Sequence, residues 1–292
     1  MRGSSVKRII SVFAFGVVIC AGSGVASAQI AVVNGASFDS SHPMAPGSFA
    51  TIFGQNLCDR TAAGDWIAPG QLPTSLGSCS VTVNGMPAML QYVSPGQINF
   101  VVPQSLSPGV GSVLVNNGTQ WPSGAMMVGN AGPGIFTTNG MGIGQGAMLH
   151  GTMWSPGPFS TTTSGQVTPV SIFVTGLDLS SSPLVSVGGL AAEVTWYGNA
   201  PGFVGLQQIN INMPSGAAGS GRVPVTVTSG GQTSNATFMT VLPTNAMMQG
   251  IPGWGSGMMG ENTPRGHEMS FIAANPVNGT ALVTDENDDV PE

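Results

Sequence analysis

The stretch Val81-Thr82-Val83-Asn84-Gly85-Met86-Pro87-Ala88, followed by Gln97-Ile98-Asn99-Phe100-Val101-Val102-Pro103, returns further along the chain as Val185-Ser186-Val187-Gly188-Gly189-Leu190-Ala191-Ala192, followed by Gln208-Ile209-Asn210-Ile211-Asn212-Met213-Pro214. Upstream, Ile52-Phe53-Gly54-Gln55-Asn56-Leu57 is echoed by Val174-Thr175-Gly176-Leu177-Asp178-Leu179. Three blocks recurring in order make the chain two copies of one module. In each copy an alternating apolar run meets a two-residue turn, Asn84-Gly85 or Gly188-Gly189, and then a second run. That is the pattern of a β-hairpin closed by a primed turn. Repeated hairpins with one apolar face predict a pair of β-sandwiches.

Composition agrees. With 44 Gly and 22 Pro in 292 residues, helices of ordinary length have little room, and with 6% charged residues the surface must be built from Ser, Thr, Asn, Gln and Gly. The first 28 residues read as a signal peptide: Arg2, Lys7 and Arg8 form a basic start, Ile9 to Val25 is a mostly apolar run, and Ala26-Ser27-Ala28 fits a cleavage site. Cys20 follows Ile19 where a lipobox wants a small residue, so ordinary cleavage near Gln29 is expected, with no membrane span afterwards. Three of the six Lys and Arg lie in this segment, which leaves Arg60, Arg222 and Arg265 against all 12 acids, a net charge near −9. Nucleic acid and anionic membrane surfaces are bound by clustered cations, which this chain lacks.

Export also frames the cysteines. Cys58 and Cys79 remain after cleavage, and one intramolecular pairing is open to them. They bracket the place where the copies differ: Leu57 to Val81 is 24 residues, whereas Leu179 to Val185 is 6, an insertion of 18. A crosslink there is worth about 3 kcal/mol on the chain-entropy estimate. The chain thus divides into a signal peptide (1–28), a first module (29–129), a Gly-rich linker (130–146) expected to be the weakest-ordered stretch between the modules, a second module (147–243) and a Met/Gly-rich and acidic tail (244–292). In the tail, residues 270–285 read as strand, Asn-Gly turn, strand, and resemble the opening of a blade in bacterial surface β-propellers. The competing reading is a lone surface hairpin or a disordered acidic tail.

Val32-Val33-Asn34-Gly35-Ala36-Ser37-Phe38, Ala45-Pro46-Gly47-Ser48, Ile52 to Leu57, Leu72-Pro73-Thr74-Ser75-Leu76-Gly77, Val81 to Gly85 and Tyr92-Val93-Ser94-Pro95-Gly96-Gln97-Ile98-Asn99-Phe100 occur in that order. The second copy continues through Pro133-Gly134-Ile135-Phe136, Val174 to Leu177 and Ala200-Pro201-Gly202-Phe203-Val204-Gly205-Leu206-Gln207-Gln208-Ile209-Asn210. This set resembles a family of uncharacterised exported bacterial proteins built on paired IPT/TIG-like, immunoglobulin-like modules. The resemblance covers most of Ile30 to Pro243. It implies an all-β fold of two tandem immunoglobulin-like β-sandwiches and export, and carries no established activity.

Chemical constellations are sparse. The chain has no G-x-S-x-G elbow, no H-E-x-x-H helix and no Walker-type loop. His42, three residues after Asp39, lacks a nucleophile with any sequence signal, so a surface turn is expected and no enzyme. Asp285-Glu286-Asn287-Asp288-Asp289 opens like a calcium loop but lacks the Gly and Glu that complete one. The sequon-like Asn117, Asn235 and Asn278 read as turns. Thioethers and imidazole suit Cu(I), which singles out Met148, His150 and Met153, and Met258, Met259, His267 and Met269 beside Met247 and Met248. Met is equally a filler of irregular cores. Aromatics give the remaining lead: Trp66 lies in the inserted loop with Asp59, Arg60 and Asp65, and Trp196, Tyr197 and Phe203 flank the second module's long hairpin loop. Of these, Asp59, Arg60, Asp65, Trp66 and Phe203 are the expected binding residues, whereas Trp196 and Tyr197 read as hairpin residues of which one enters the core. The sequence therefore points to an exported, cell-surface or periplasmic, non-enzymatic protein without a cofactor, presenting loops to a glycan or a surface protein. The alternatives are an accessory region of a larger surface β-propeller or hydrolase, and a copper-binding envelope protein.

Overall fold

A computed structural model describes residues 29–64, 70–150 and 157–243. Residues 1–28, which the sequence reads as a signal peptide, residues 65–69 of the inserted segment, residues 151–156 and the tail 244–292 lie outside the described residues. So do Asp65, Trp66, Met153, Met258, Met259, His267 and Met269.

The first half carries β1 (Ala31–Asn34), β2 (Phe49–Phe53), β3 (Ala62–Ala63), β4 (Ser75–Leu76), β5 (Cys79–Val83), β6 (Met86–Pro87), β7 (Met89–Val93), β8 (Gln97–Val101), β9 (Gly109–Asn116) and β10 (Ser123–Val128). They form two antiparallel layers, β1-β2-β8-β7-β3 and β10-β9-β5-β4 with β6 on β5. The second half carries β11 (Gly134–Ile135), β12 (Met148–His150), β13 (Thr162–Thr163), β14 (Gln166–Val167), β15 (Pro169–Thr175), β16 (Leu184–Val187), β17 (Leu190–Asn199), β18 (Gln207–Asn212), β19 (Gly221–Ser229), β20 (Gln232–Thr233) and β21 (Thr237–Val241). The described residues contain no α-helix, and a 3-10 turn spans Ser215–Ala217. The fold is two tandem immunoglobulin-like β-sandwiches.

Alternation builds each core. Ala50, Ile52, Val81, Val83, Leu90, Ile98, Phe100, Val113 and Val115 point between the first pair of layers. Val170, Ile172, Val185, Val187, Ile209, Ile211, Val225 and Val227 do so in the second. Both turns are primed as expected: Asn84 and Gly85 have φ of 51° and 78°, Gly188 and Gly189 of 60° and 84°. The strand after the turn differs between copies. In the second it runs unbroken as β17, whose start pairs with β16 and whose Glu193–Asn199 part pairs with β18, so it bends from one layer into the other. In the first, Pro87 supplies no amide hydrogen, and the strand divides into β6 on β5 and β7 on β8.

The inserted segment is more than a loop. β3 pairs with β7 and β4 with β5, so it closes one edge of each layer of the first sandwich. A disulfide joins Cys58 to Cys79 across it, with Cα atoms 5.9 Å apart and both cysteines buried.

Residues 130–146 also have structure. β11 pairs with β15, Ile135 is fully buried, and Gln145 bridges to Phe238 at the edge of β21. Asn235 clamps the segment, accepting from Ile135 N–H at 2.8 Å and donating to the carbonyls of Ile135 (3.0 Å) and Gly142 (2.8 Å). Contacts with the first sandwich complete it: Asn34 Nδ2 donates to Gly132 O at 2.9 Å, and Phe49 N–H donates to Thr175 Oγ1 at 2.8 Å. The Phe49 ring meets Phe136 edge-on, with centroids 6.3 Å apart, beside a cluster of Ala147, Leu149, Phe173, Ala200, Leu206 and Phe203.

Candidate functional site

The described residues among those singled out from sequence are dispersed. Asp59 and Arg60 form an exposed ion pair, Arg60 Nη2 to Asp59 Oδ2 2.9 Å, and the hydrogen bond from Arg60 holds the Asp59 carboxyl below its usual range. Phe203 is half-buried against the cluster between the sandwiches, so much of its ring serves packing. Gly70 N–H donates to Gly202 O at 3.0 Å, which ties the inserted segment to the loop bearing Phe203. Met148 is a core residue of the second sandwich. His150, at the other end of the same short strand, is buried with Nε2 3.1 Å from Thr163 Oγ1, and burial pushes its imidazole below the usual value. Among the described residues no group of three or more His, Cys, Asp or Glu could hold a metal ion.

His42 and Asp39 do meet, Nδ1 to Oδ2 at 2.7 Å, with Ser41 Oγ 2.7 Å from that carboxylate oxygen. The geometry is that of a turn. Ser41 N–H on Asp39 is the first cause of the lowered carboxyl pKa, and Ser41 Oγ approaches the same His42 Nδ1 that the carboxylate occupies, at 3.2 Å. In a catalytic triad the serine and the carboxylate address opposite ring nitrogens.

A more organised surface lies on the outer face of β15, β18 and β17, where three rows of side chains follow from the register. The middle row is Ser171, Asn210 and Trp196; the row on one side is Phe173, Gln208 and Gly198; that on the other is Pro169, Asn212 and Glu193. Ile209 and Ile211 point into the core, so the alternating Gln208, Asn210 and Asn212 point out. A bulge between Val194 and Trp196 lets Val194 and Tyr197 pack inward while Trp196 stands outward, 42% exposed. The indole lies along the sheet over Gly198, where a Cβ would come within 3.0 Å of ring atom Cζ2. Beside it, Ser171 Oγ and Gln208 Nε2 donate to Asn210 Oδ1 at 2.9 and 2.6 Å, and Asn212 Nδ2 donates to Glu193 Oε2 at 2.9 Å. Asn210 Nδ2, Gln208 Oε1 and Trp196 Nε1 make no hydrogen bond to any described residue. A flat apolar ring thus adjoins fixed amides with open donor and acceptor positions.

The first sandwich repeats this pattern and closes it. Thr51, Asn99 and Tyr92 occupy the middle row, again with a bulge before the aromatic residue, and Thr51 Oγ1 and Gln97 Nε2 donate to Asn99 Oδ1 at 3.1 and 2.8 Å. There, however, Asn99 Nδ2 donates to Gln91 Oε1 at 3.1 Å, and the row matching Pro169, Asn212 and Glu193 is the apolar Phe49, Val101 and Met89, whose Phe49 packs against the second sandwich. The repeated Gln-x-Asn was visible in the sequence. What it did not show was the bulge that turns Trp196 rather than Tyr197 outward.

Gly198→Val tests the geometry without a ligand. The φ of Gly198 lies outside the left-handed region, so the backbone accepts valine, but the indole must move. Tryptophan emission is expected to shift, the shift to vanish in a Trp196→Phe background, and stability to stay within about 1 kcal/mol, as for other surface changes.

Comparison with curated proteins gives no match. Among solved structures, the chain is similar to SGBP-B of the Bacteroides ovatus mixed-linkage glucan utilization locus in complex with a mixed-linkage heptasaccharide, at 14% identity and a TM-score of 0.31. That match covers 70% of this chain and 43% of the other, so this chain spans less than half of that relative's length. It is also similar to domains 5–6 of the S-layer protein SbsC, at 13% identity over 74% of this chain and 97% of that one, with a TM-score of 0.26. The family model for the IPT/TIG domain matches residues 155–241, the segment that carries β13 to β21 and the Trp196 face. The IPT/TIG model thus matches most of the second sandwich, from β13 onward.

Proposed function

We propose that this is an exported, non-enzymatic binding protein that holds a glycan on the outer face of β15, β18 and β17, with Trp196 as its anchor. One observation carries the reading: an exposed indole lies beside Asn210 and Gln208, whose Nδ2 and Oε1 have no partner among the described residues. A pyranose ring offers an apolar C–H face that stacks on indole and a rim of hydroxyls that need donors and acceptors in fixed positions. A protein hot spot would instead sink its aromatic residue in a desolvated pocket, whereas here the ring lies flat and open. The inserted loop with Asp59, Arg60, Asp65 and Trp66 is the competing surface, and a protein partner the competing ligand.

Glycan arrays and affinity gels with the chain starting at Gln29 test this. Trp196→Ala is expected to weaken retention at least thirtyfold, as loss of a 2 kcal/mol anchor does. Tyr92→Ala, on the closed ladder, is expected to change it less than twofold, and Trp66→Ala likewise. Absence of retention on every glycan, or unchanged retention of Trp196→Ala, would overturn the proposal. Loss of retention in Trp66→Ala alone would move the site to the inserted loop.

A further inference from the structure

Resting on that reading, we infer that the ligand is a neutral glycan and that Glu193 is the residue that excludes polyuronates and other anionic chains. Glu193 stands on the Trp196 face, in the next outward row, and Asn212 Nδ2 holds its Oε2 at 2.9 Å. One outward row along an antiparallel strand is about 7 Å, and the indole leans over Gly198, the row on the far side from Glu193, so a glycan chain stacked on the indole and running along the strands reaches the carboxylate with residues beyond the stacked one. There a sugar carboxylate meets a like charge.

No cation among the described residues of this face offsets that charge. Of the described arginines, Arg60 is paired with Asp59, and Arg222 lies 3.8 Å over the Phe238 ring on β19 and β21, in the layer that contains β16. His42 is paired with Asp39 in the first half, and His150 is buried. The remaining groups facing Glu193 from β18 and β15 are Asn212, Asn210, Ser171 and Pro169, all uncharged. The corresponding row of the first sandwich, Phe49, Val101 and Met89, has no charge at all, so the carboxylate is a feature of the open face alone. Like charges about 7 Å apart change affinity by about threefold at the dielectric of water and by about fiftyfold at the lower value typical of a protein surface, and the effect fades as the Debye length falls from about 30 Å at 0.01 M salt to about 8 Å at 0.15 M.

The test uses affinity gels containing β-glucan, xylan or galactomannan as neutral polymers, and polygalacturonate or alginate as anionic ones, with the chain starting at Gln29. The wild type is expected to bind at least one neutral polymer about tenfold or more tightly than either polyuronate in 10 mM NaCl, and the ratio to shrink in 150 mM. Glu193→Gln keeps an acceptor for Asn212, so the sheet is preserved; it is expected to reduce the discrimination at least fivefold with neutral binding altered less than threefold. Equal retention of polyuronates by the wild type, with loss in Trp196→Ala, would overturn the neutral-ligand inference while leaving the platform intact. Unchanged discrimination in Glu193→Gln would overturn the role of this residue. Retention by none of the polymers would overturn both.

Discussion

Replacing Cys58 and Cys79 together by alanine is expected to lower the stability of the coupled sandwiches by about 3 kcal/mol and their unfolding midpoint by roughly 6–12 °C. The crosslink closes a loop with a sequence separation of 21, and on the chain-entropy model that restriction of the unfolded chain is the larger part of the effect. Its native position adds to it. Cys58 follows the fully buried Leu57 beyond β2 in one layer, and Cys79 opens β5 in the other, so the bond ties both layers to the segment whose β3 and β4 close their edges. Both sulfurs lie in the core, and their removal leaves unfilled space as well. Differential scanning calorimetry on the double variant gives the answer, and a loss below about 1 kcal/mol would show that the edge strands hold without the bond.

Much of this fold was legible because it rests on local periodicity. The alternation of Val81, Val83, Val185 and Val187 and the Asn84-Gly85 and Gly188-Gly189 turns need only neighbouring residues to declare themselves, and each element stands where those signals put it. The cysteine pairing followed from number and from the expectation of export. What escaped depends on distant partners. Ala62-Ala63 and Ser75-Leu76 have no strand signal of their own; they are extended because β7 and β5 present unpaired edges. Gly134-Ile135 lies in a stretch that reads as a linker, yet it pairs with Thr175 and Val174 and is held by Asn235, a hundred residues away. The candidate site failed to show for the same reason. Trp196 and Tyr197 are adjacent aromatics, and only the bulge, seen once β17 is aligned on β18, sends one to the surface and the other to the core.

Phe49→Ala is expected to uncouple the two sandwiches. Phe49 is the residue of the first sandwich that enters the cluster of Ala147, Leu149, Phe173, Ala200 and Leu206; a Cβ on Gly205 would lie 2.9 Å from its ring, so the second sandwich is shaped to receive it. Both module cores lie elsewhere, around Phe100 and around Ile209, so truncation leaves each sandwich its own interior and removes what joins them. The cost is expected to be about 3 kcal/mol, the low end for a buried phenylalanine because this one is partly exposed. The hydrogen bonds from Asn34 to Gly132 and from Phe49 N–H to Thr175 remain possible, but each is worth only about 1 kcal/mol net. Calorimetry should then resolve two transitions where the wild type is expected to show one, with the disulfide-bonded first sandwich melting separately from the second. A single unchanged transition would mean that the backbone contacts of residues 130–146 suffice for coupling. Splitting matters for the binding proposal too: the Trp196 face borders Phe173, so a variant that unfolds in two steps yet still binds a glycan would show that the platform belongs to the second sandwich alone, with the first sandwich serving to hold and orient it.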